Sequence, residues 1–337
     1  MVYTTTYNDF SSSMWDIGSP FGRQLLWGAA SIVFMLVLSV IDWQVWNSLA
    51  PPLYGFGIVL LIALLLFGTE TKGAQSWLRI GSFSLQPSEF VKLSTILLTA
   101  NMLSSIRIKL NERKSQLILF GIIALPAFFI ILQPDPGSAV TFGSLLIIAY
   151  RKGLSASYYI ALIALFLTLV LSFSILKPHQ QDRINVWLQP EKCDPRGSLY
   201  NLLQSKLAIG SGGFNGKGFL EGTLTKLNYV PEQTTDFIFS SVGEEQGFVG
   251  SAALIILFMV MVFRITNIGE RSKHSFVLCV CYGVAGFIFL HFFLNIGMTM
   301  GLCPVIGIPL PFISKGGSSL MAFSMMIGIV LNMSKER

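Results

Sequence analysis

The sequence predicts an all-α membrane protein that crosses the bilayer several times. Hydrophobic residues make up 53% of the 337 positions and charged residues only 12%, whereas a soluble domain carries about 25% charged residues. The mean hydropathy of the whole chain is +0.66. Nine apolar runs approach the roughly 20 residues that a helix needs to span a bilayer. They lie at about 25–41, 52–68, 87–103, 117–133, 138–150, 154–176, 240–263, 276–297 and 316–333.

Basic residues in the loops predict the orientation of the chain. Short loops rich in Lys and Arg face the cytoplasm, and four such segments follow the third, fifth, seventh and ninth runs. They contain Arg107, Lys109, Arg113 and Lys114; Arg151 and Lys152; Arg264, Arg271 and Lys273; and Lys335 and Arg337. The opposite side then receives 69–86, 133–137, 177–239 and 298–315. These cytoplasmic loops account for the net charge of +6, so no nucleic-acid partner is predicted.

Residues 25–337 are predicted to form a single transmembrane domain that includes a large extracytoplasmic loop at 177–239. Residues 1–24 form a polar tail, which the span count places outside although it has no signal-peptide hydrophobic segment. A missing first helix, from a shortened chain or a misassigned start, would explain this. The four cysteines lack disulfide or zinc spacing and are interpreted as structural, and the three histidines are too scattered to suggest a metal site.

Two motifs fall at predicted outer ends of spans. In QPSEFVKL, residues 86–93, Pro87 suits a first helical turn, and Glu89 and Lys92 share one helical face. Each charge costs at least about 2.5–3.5 kcal/mol at the centre of a membrane helix, so the two should face the bundle interior and pair. They form either a structural ion pair or the polar wall of a cavity. In QPDPGSA, Asp135 is either a turn residue or a functional carboxylate.

The large loop contains a glycine cluster, GSGGFNGKG, at residues 210–218. Its spacing does not match a P-loop, because Ser211 stands where Gly is required and Gly218 where Ser or Thr is required. The cluster is either a flexible loop or a set of backbone N–H groups that binds an anion together with Lys206 and Lys217. Arg183 adds to the basic character of the same segment.

Carboxylates gather where this loop returns to the membrane. In TTDFIFSSVGEEQGFVG, residues 234–250, Asp236 precedes an apolar run, and Glu244 and Glu245 follow two turns later. A carboxylate at this boundary suits a general base, although Asp also favours helix starts for structural reasons. Further on, GIPLPFISKGGSS ends in Ser318 and Ser319, which either bind polar groups of a ligand or cap a helix.

These motifs, in this order, resemble the SEDS family (shape, elongation, division and sporulation) of RodA and FtsW polysaccharide polymerases. The resemblance covers about residues 22–334 and rests on GAQSWL with QPSEFVKL, QPDPGSA, QSKLAIGSGGFNGKG, VPEQTTDFIFSSVGEEQGFVG and GIPLPFISKGGSS. The GSGGxxGKG form is more similar to the RodA branch than to the FtsW branch. The family usually has ten helices, and the nine runs here match its second to tenth.

The resemblance implies a peptidoglycan glycosyltransferase that polymerises lipid II during cell elongation and shape maintenance and releases undecaprenyl pyrophosphate. It would act at the outer face of the cytoplasmic (inner) membrane. The family's catalytic Asp falls on Asp236. Substrate-binding positions are then Glu89, Lys92, Arg183, Lys206, Lys217, Ser318 and Ser319, with Gln86, Asp135, Glu244 and Glu245 in support. The implied partners are a class B penicillin-binding protein and other elongation-complex proteins, and a divalent cation (Mg or Mn) stays open.

Three positions depart from the family pattern, and two other functions compete. Ser76 replaces an Arg, for which Arg79 is a nearby substitute, Pro136 replaces a Leu, and Lys315 replaces a Tyr. A flippase or transporter of the lipid-linked precursor would suit an intramembrane Glu/Lys pair, but the internal repeats typical of transporters are not visible. A non-catalytic scaffold would tolerate loss of the loop carboxylates.

Overall fold

The computed structural model describes residues 1–6, 19–71, 74–80, 83–105, 110, 112–158, 178–194 and 197–335. The chain divides into two compact units. The first unit comprises Met1–Gly22, Ser155–Phe258 and His291–Lys315, and the second comprises Arg23–Leu154, Met259–Leu290 and Gly316–Arg337. The predicted boundary at residue 24 between tail and membrane domain stays a prediction.

The fold of the described residues is helical, as the composition predicts. The helices are α1 Val2–Thr6, α2 Pro20–Leu38, α3 Trp43–Phe67, α4 Pro87–Ser104, α5 Arg113–Leu132, α6 Pro136–Thr141, α7 Leu146–Arg151, α8 Pro178–Leu188, α9 Ser198–Ser211, α10 Thr223–Lys226, α11 Ile238–Arg271, α12 Ser275–Met300 and α13 Gly317–Met333. Among them, α2, α3, α5, α11 and α12 are long and apolar enough to cross a membrane. Helices α4 and α13 coincide with two more predicted runs. Most of the run 154–176 lies outside the described residues, so the count of nine spans stays a prediction.

A small antiparallel sheet between residues 69 and 85 is a local exception to the confirmed helical fold. Its strands, β1 Thr69–Thr71, β2 Ala74–Ile80 and β3 Phe83–Leu85, lie in the order β1-β2-β3. Leu78 is paired with Leu85 across β2 and β3. Strands β1 and β3 have only three residues each, and β2, AQSWLRI, does not alternate strictly between apolar and polar residues, so none shows the pattern from which a strand is predicted. The sheet belongs to the second unit and leads directly into α4.

In the second unit, α4 packs against α3 through a glycine. A Cβ added at Gly57 would lie 3.1 Å from both Ser94 Oγ and Val91 Cγ2, so the absent side chain lets the two helices approach closely. Asn101 ties the other end of α4 to α3, because its Nδ2 donates to the Asn47 carbonyl oxygen at 3.0 Å. The core face of α4 is fully buried, which fixes the orientation of its polar residues as well.

The short predicted run at 138–150 is a broken helix rather than a regular one. Helix α6 is followed by a 3₁₀ turn, Phe142–Leu145, and then by α7. Asp135 caps α6 by accepting the Ser138 N–H at 3.1 Å. Pro136 occupies the first turn of α6, where proline is favoured because its missing N–H would have no partner. This departure from the family pattern therefore has a local structural reason.

In the first unit, the large loop is folded rather than flexible. It contains α8, α9, α10 and a 3₁₀ turn, Pro190–Lys192. Val186 of α8 packs with Leu199 and Leu202 of α9 in one buried cluster. A second buried cluster joins Ala208 of α9 to Val230 and Phe237. These contacts stabilise the segment that leads to Asp236.

Helix α11 breaks at Gly247, where the glycine-rich turn of the loop meets it. Gly247 has φ 63° and ψ −159°, which is not helical. A Cβ at Gly247 would lie 2.2 Å from the Gly216 backbone nitrogen, and a Cβ at Gly216 would lie 2.2 Å from the Glu245 carbonyl oxygen. The two backbones are therefore in direct contact, which only glycine permits on both sides.

Four hydrogen bonds between the turn and α11 replace helical bonds that the break removes. They run from Lys217 N to Glu244 O at 3.0 Å, from Gly218 N to Glu245 O at 3.0 Å, from Phe248 N to Gly213 O at 3.0 Å and from Val249 N to Phe214 O at 3.2 Å. In an unbroken helix, residues 248 and 249 would donate to residues 244 and 245. We call these four contacts, together with Gly216 and Gly247, the glycine interlock. The N–H groups of residues 217 and 218 bond to the protein itself, which argues against the anion-binding interpretation for them.

Replacing Gly247 with Ala is expected to destabilise the protein. An alanine at this φ and ψ costs about 1–3 kcal/mol, and its methyl group would also displace Gly216 from the glycine interlock. The measurement is the midpoint of thermal unfolding of the purified protein in detergent. Gly121→Ala in α5 is the control, because a Cβ there meets no atom within 4 Å and should leave the midpoint unchanged or raise it. Equal midpoints for the two variants would contradict the interlock.

Candidate active site

Asp236 lies in the first unit, in the turn that precedes α11. Its side chain is half-buried, and the residues that follow it, Phe237 and Ile238, are buried. A Cβ added at Gly307 would lie 3.4 Å from Asp236 Oδ2, so the carboxylate stands beside the loop that follows α12. Gly307 has φ +70°, a conformation that favours glycine. The carboxylate is thus held at the junction between a polar folded segment and an apolar helix.

The backbone around Asp236 is fixed by residues that the sequence interpretation did not single out. Asn295, fully buried in α12, donates from Nδ2 to the Asp236 carbonyl oxygen at 2.9 Å. Ser314 donates its hydroxyl to the Thr235 carbonyl oxygen at 2.6 Å. An amide inside an apolar run is expensive unless it is bonded. That cost was the sequence signal that could have identified Asn295.

The two helices that carry the predicted cations Lys206 and Arg183 contact the same loop after α12. Lys206 of α9 is exposed, and its Cε would lie 2.5 Å from a Cβ placed at Gly301. Arg183 of α8 is half-buried and one turn before Trp187, whose Nε1 donates to the Leu302 carbonyl oxygen at 3.1 Å. The structure therefore positions both basic helices against a loop that also contacts Asp236. Binding of a substrate by Lys206 or Arg183 stays a prediction.

Cys303 of this loop is a packing residue. It is one of four free cysteines, and its Sγ would lie 3.0 Å from a Cβ at Gly297. Burial raises the pKa of the Cys303 thiol, so the uncharged form is favoured. The thiol helps the loop to pack on α12 and adds no charge beside Asp236.

Lys217, which is partly exposed, and Glu244, which is buried, form an ion pair that holds the loop. The Lys217 Nζ lies 2.7 Å from Glu244 Oε1, and the Glu244 side chain is 0% exposed. The same carboxylate accepts the Leu224 N–H at 2.9 Å and both the N–H and the hydroxyl of Thr225 at 2.8 and 2.6 Å. These bonds occupy Glu244 fully and give it a structural role. A contact between Lys217 and a substrate stays a prediction.

The Glu244 network continues towards Asp236 through Gln233. Gln233 Nε2 donates to the carbonyl oxygen of Thr225 at 2.9 Å and to Asn228 Oδ1 at 2.5 Å. Gln233 is buried and only three residues before Asp236. Glu245, also buried, packs its Cγ 3.2 Å from the Cβ position of Gly222. The supporting positions Glu244 and Glu245 therefore belong to the buried residues that pack beside the turn containing Asp236.

In the second unit, Glu89 and Lys92 pair as their spacing predicts. Lys92 Nζ lies 2.7 Å from Glu89 Oε1, and the two side chains are 0% and 2% exposed. Lys92 Nζ also lies 6.0 Å from the centroid of the Phe323 ring. Glu89 Oε2 is buried and has no hydrogen-bond partner within the described ranges. The pairing is confirmed, whereas a role of the pair in a substrate cavity stays a prediction.

Gln86 links the remaining predicted residues of the second unit. Its Nε2 donates to Asp135 Oδ2 at 3.1 Å, and its backbone N–H donates to Ser318 Oγ at 3.0 Å. The Ser318 hydroxyl in turn donates to the Ser84 carbonyl oxygen at 3.3 Å. Helix α13 has Gly316 at its capping position without a side-chain cap bond, so Ser318 does not cap that helix. Ser319 is buried beside it, and ligand binding by either serine stays a prediction.

The other two positions that depart from the family pattern are Ser76 and Lys315, and they lie in different surroundings. Ser76 lies in β2 and is buried, at 2% exposure, whereas the side chain of Arg79 lies outside the described residues. Lys315 uses its backbone N–H to donate to the Thr234 carbonyl oxygen at 2.8 Å. Because any residue except proline supplies this donor, the change of side chain at 315 leaves the bond intact.

The candidate residues form one set in each unit. The first unit contains Asp236, Arg183, Lys206, Lys217, Glu244 and Glu245. The second unit contains Gln86, Glu89, Lys92, Asp135, Ser318 and Ser319. Within the residues that the structure describes, no group of three or more His, Cys, Asp or Glu could hold a metal ion. Mg²⁺ is commonly held by one or two carboxylates together with substrate phosphates, so a divalent cation beside Asp236 stays a prediction.

Comparison with known proteins places this arrangement in a family. The sequence-family model of the FtsW, RodA and SpoVE cell cycle proteins matches residues 1–337. The peptidoglycan glycosyltransferase MrdB of Escherichia coli K12 is 36% identical over 332 residues, which are 97% of this chain and 89% of MrdB.

Two solved structures share the fold over nearly the whole chain. A chain from a structure described as "Structural coordination of polymerization and crosslinking by a peptidoglycan synthase complex" matches with a TM-score of 0.83 at 27% identity, covering 99% of this chain and 94% of that one. The crystal structure of the Thermus thermophilus rod shape determining protein RodA matches with a TM-score of 0.71 at 25% identity, covering 100% and 93%.

Proposed function

The chain belongs to the FtsW, RodA and SpoVE family of cell cycle proteins, and we propose that it is a peptidoglycan glycosyltransferase that polymerises lipid II into glycan strands. It is a multi-pass membrane protein with a helical fold. The proposal places it in the cytoplasmic (inner) membrane, with Asp236 on the extracytoplasmic side. The similarity to a rod shape determining protein favours a role in cell elongation and shape maintenance.

The proposed reaction is a glycosyl transfer with inversion at the anomeric carbon. A hydroxyl oxygen of one lipid-linked disaccharide forms a bond to the anomeric carbon of another. The bond from that carbon to the pyrophosphate oxygen breaks, and undecaprenyl pyrophosphate leaves with the electron pair. The hydroxyl proton passes to Asp236, which acts as general base. The lipid tail keeps the donor in the bilayer while its sugars reach the carboxylate.

The position of Asp236 is the observation that carries this proposal. Its carboxylate is half-buried, directly before a 34-residue helix that is apolar enough to span a membrane. A general base must reach the acceptor hydroxyl, and a lipid-linked acceptor is found only at the membrane surface. A carboxylate fixed at this boundary satisfies both requirements.

Basic residues of the first unit would neutralise the leaving pyrophosphate. Lys206 borders the loop beside Asp236, Arg183 lies one turn before Trp187, which bonds to that loop, and Lys217 is partly exposed, at 27%. Lys92, with Glu89, would line the polar interior of the second unit. Fixed cations aimed at a developing anionic leaving group lower the barrier because they need no reorganisation during the reaction. The same cations would also bind the diphosphate of the substrate in the ground state.

A transpeptidase partner completes the proposal. The related chain with TM-score 0.83 comes from a complex that couples polymerisation with crosslinking. We therefore propose that this chain works with a class B penicillin-binding protein and with other membrane proteins of the elongation complex.

The test is an assay of the purified protein with fluorescently labelled lipid II in the presence of its penicillin-binding partner. Wild-type protein is expected to produce glycan strands, and Asp236→Asn is expected to produce none above background. Translocation of lipid II across vesicles without strand formation would instead support a flippase. If the wild-type protein made no strands, and cells carrying only the Asp236→Asn protein grew normally, a scaffold would be supported.

A further inference from the structure

We propose that Asn295 is a positioning residue that fixes the peptide of Asp236, an inference that rests on the proposed function of Asp236 as general base. Three consecutive carbonyl oxygens lead to this aspartate, and each accepts one hydrogen bond. Thr234 O receives the Lys315 N–H at 2.8 Å, Thr235 O receives the Ser314 hydroxyl at 2.6 Å, and Asp236 O receives Asn295 Nδ2 at 2.9 Å. All three donors belong to the segment 295–315.

Asn295 is the donor that bonds to the Asp236 peptide itself, and it is fully buried. Its Nδ2 also donates to the Ile308 carbonyl oxygen at 2.7 Å. One amide group therefore joins the Asp236 peptide to the loop next to Gly307, which is the residue that faces Asp236 Oδ2. The segment that bonds to the Asp236 backbone therefore also lies beside its side chain.

The orientation of the Asn295 amide follows from its surroundings. The two near neighbours of the amide are the carbonyl oxygens of Asp236 and Ile308. The NH₂ group must face them, because the reversed amide would place three oxygens together. Asn295 Oδ1 has no hydrogen-bond donor in the described part of the chain. Burial of a half-satisfied amide carries a cost, which a purely apolar residue of similar size would avoid. The polar group is therefore explained by what it donates to.

A general base acts only while it is within hydrogen-bond distance of the acceptor hydroxyl. Loss of the Asn295 bond frees the Asp236 peptide to rotate and shifts its carboxylate. A displacement of about 1 Å at a reacting group lowers the rate about 10²-fold. The substrate contacts supplied by the basic residues remain, so the effect falls on kcat rather than on KM.

The experiment compares Asn295→Ala, Ser314→Ala and Ser205→Ala in the lipid II polymerisation assay, with the partner present. Ser205 is the matched control because it is equally buried and its hydroxyl donates to the Thr299 carbonyl oxygen of α12 at 2.9 Å. Asn295→Ala is expected to lower kcat about 10²-fold with KM within about twofold. Ser314→Ala should lower kcat less, and Ser205→Ala should leave both constants near wild type.

A second substitution separates donation from packing. Asn295→Leu keeps roughly the size of the side chain but removes every donor, so it is expected to lose kcat as Asn295→Ala does. Full kcat in Asn295→Leu, or equal kcat in Asn295→Ala and Ser205→Ala per folded molecule, would overturn the positioning role alone, provided that Asp236→Asn is inactive. Wild-type activity of Asp236→Asn would overturn the base and the positioning role together.

Discussion

Replacing Asp236 with Asn is expected to lower kcat for glycan-strand formation by about 10²–10⁴-fold, the range that a general base contributes. The amide has nearly the shape of the carboxylate, so the turn and its bonds to Asn295 and Ser314 should survive. It cannot take up the proton of the attacking hydroxyl. Substrate affinity is supplied mainly by the basic residues, so KM should change little.

Steady-state kinetics with labelled lipid II measure this effect, and another amide substitution in the same loop provides the control. Glu191 is exposed in the 3₁₀ turn Pro190–Lys192, so Glu191→Gln removes one negative charge without touching the site. It should retain wild-type kcat. Asp236→Glu keeps the carboxylate but moves it by one methylene, and an intermediate rate is expected. A rate for Asp236→Asn within a few-fold of the control would rule out Asp236 as the base.

Replacing Lys92 with Met is expected to cost about 3–5 kcal/mol of folding stability, the penalty for leaving one buried charge without its partner. The side chains of Lys92 and Glu89 are 0% and 2% exposed, so water cannot take over the role of the missing ammonium. Methionine fills a similar volume, and the loss of packing is therefore small. The measurement is the free energy of unfolding of the purified protein in mixed micelles.

The double variant Glu89→Gln with Lys92→Met is the matched control. It removes both charges, so most of the stability lost in Lys92→Met should return, because replacing a whole buried pair is close to neutral. A hydrated surface ion pair contributes less than about 1 kcal/mol to the free energy of unfolding. If Lys92→Met alone lowered that free energy by no more than this, the pair would have to be solvated. That result would favour the cavity-wall interpretation over the structural one.

Local features of the fold were predictable from the sequence. The helix α4 and the pairing of Glu89 with Lys92 follow from hydropathy and from a spacing of three, since both depend on neighbouring residues alone. Asp135 was predicted in a turn, and it caps α6 there. The family resemblance supplied Asp236, which periodicity alone could not separate from an ordinary helix-start residue.

Features that depend on contacts between distant residues were not predictable. The glycine cluster at 210–218 was interpreted as flexible or anion-binding, because nothing local shows that residues 244–249 would bond to it. The partner of Asn295 was not predictable for the same reason, since Asp236 is 59 positions away in the chain, although an amide inside an apolar run marks Asn295 itself. The strands at 69–85 were missed because two have only three residues and the third does not alternate strictly between apolar and polar residues.

The glycine interlock has a consequence for how the protein is made. A segment released into hydrocarbon must satisfy its own backbone groups, and the part of α11 before Gly247 cannot do so by itself. Residues on both sides of the break depend on residues 213–218, because the carbonyl oxygens of 244 and 245 and the N–H groups of 248 and 249 all bond to that turn. Since the turn is synthesised before the helix, we expect the two to pair before this region reaches its full depth in the bilayer.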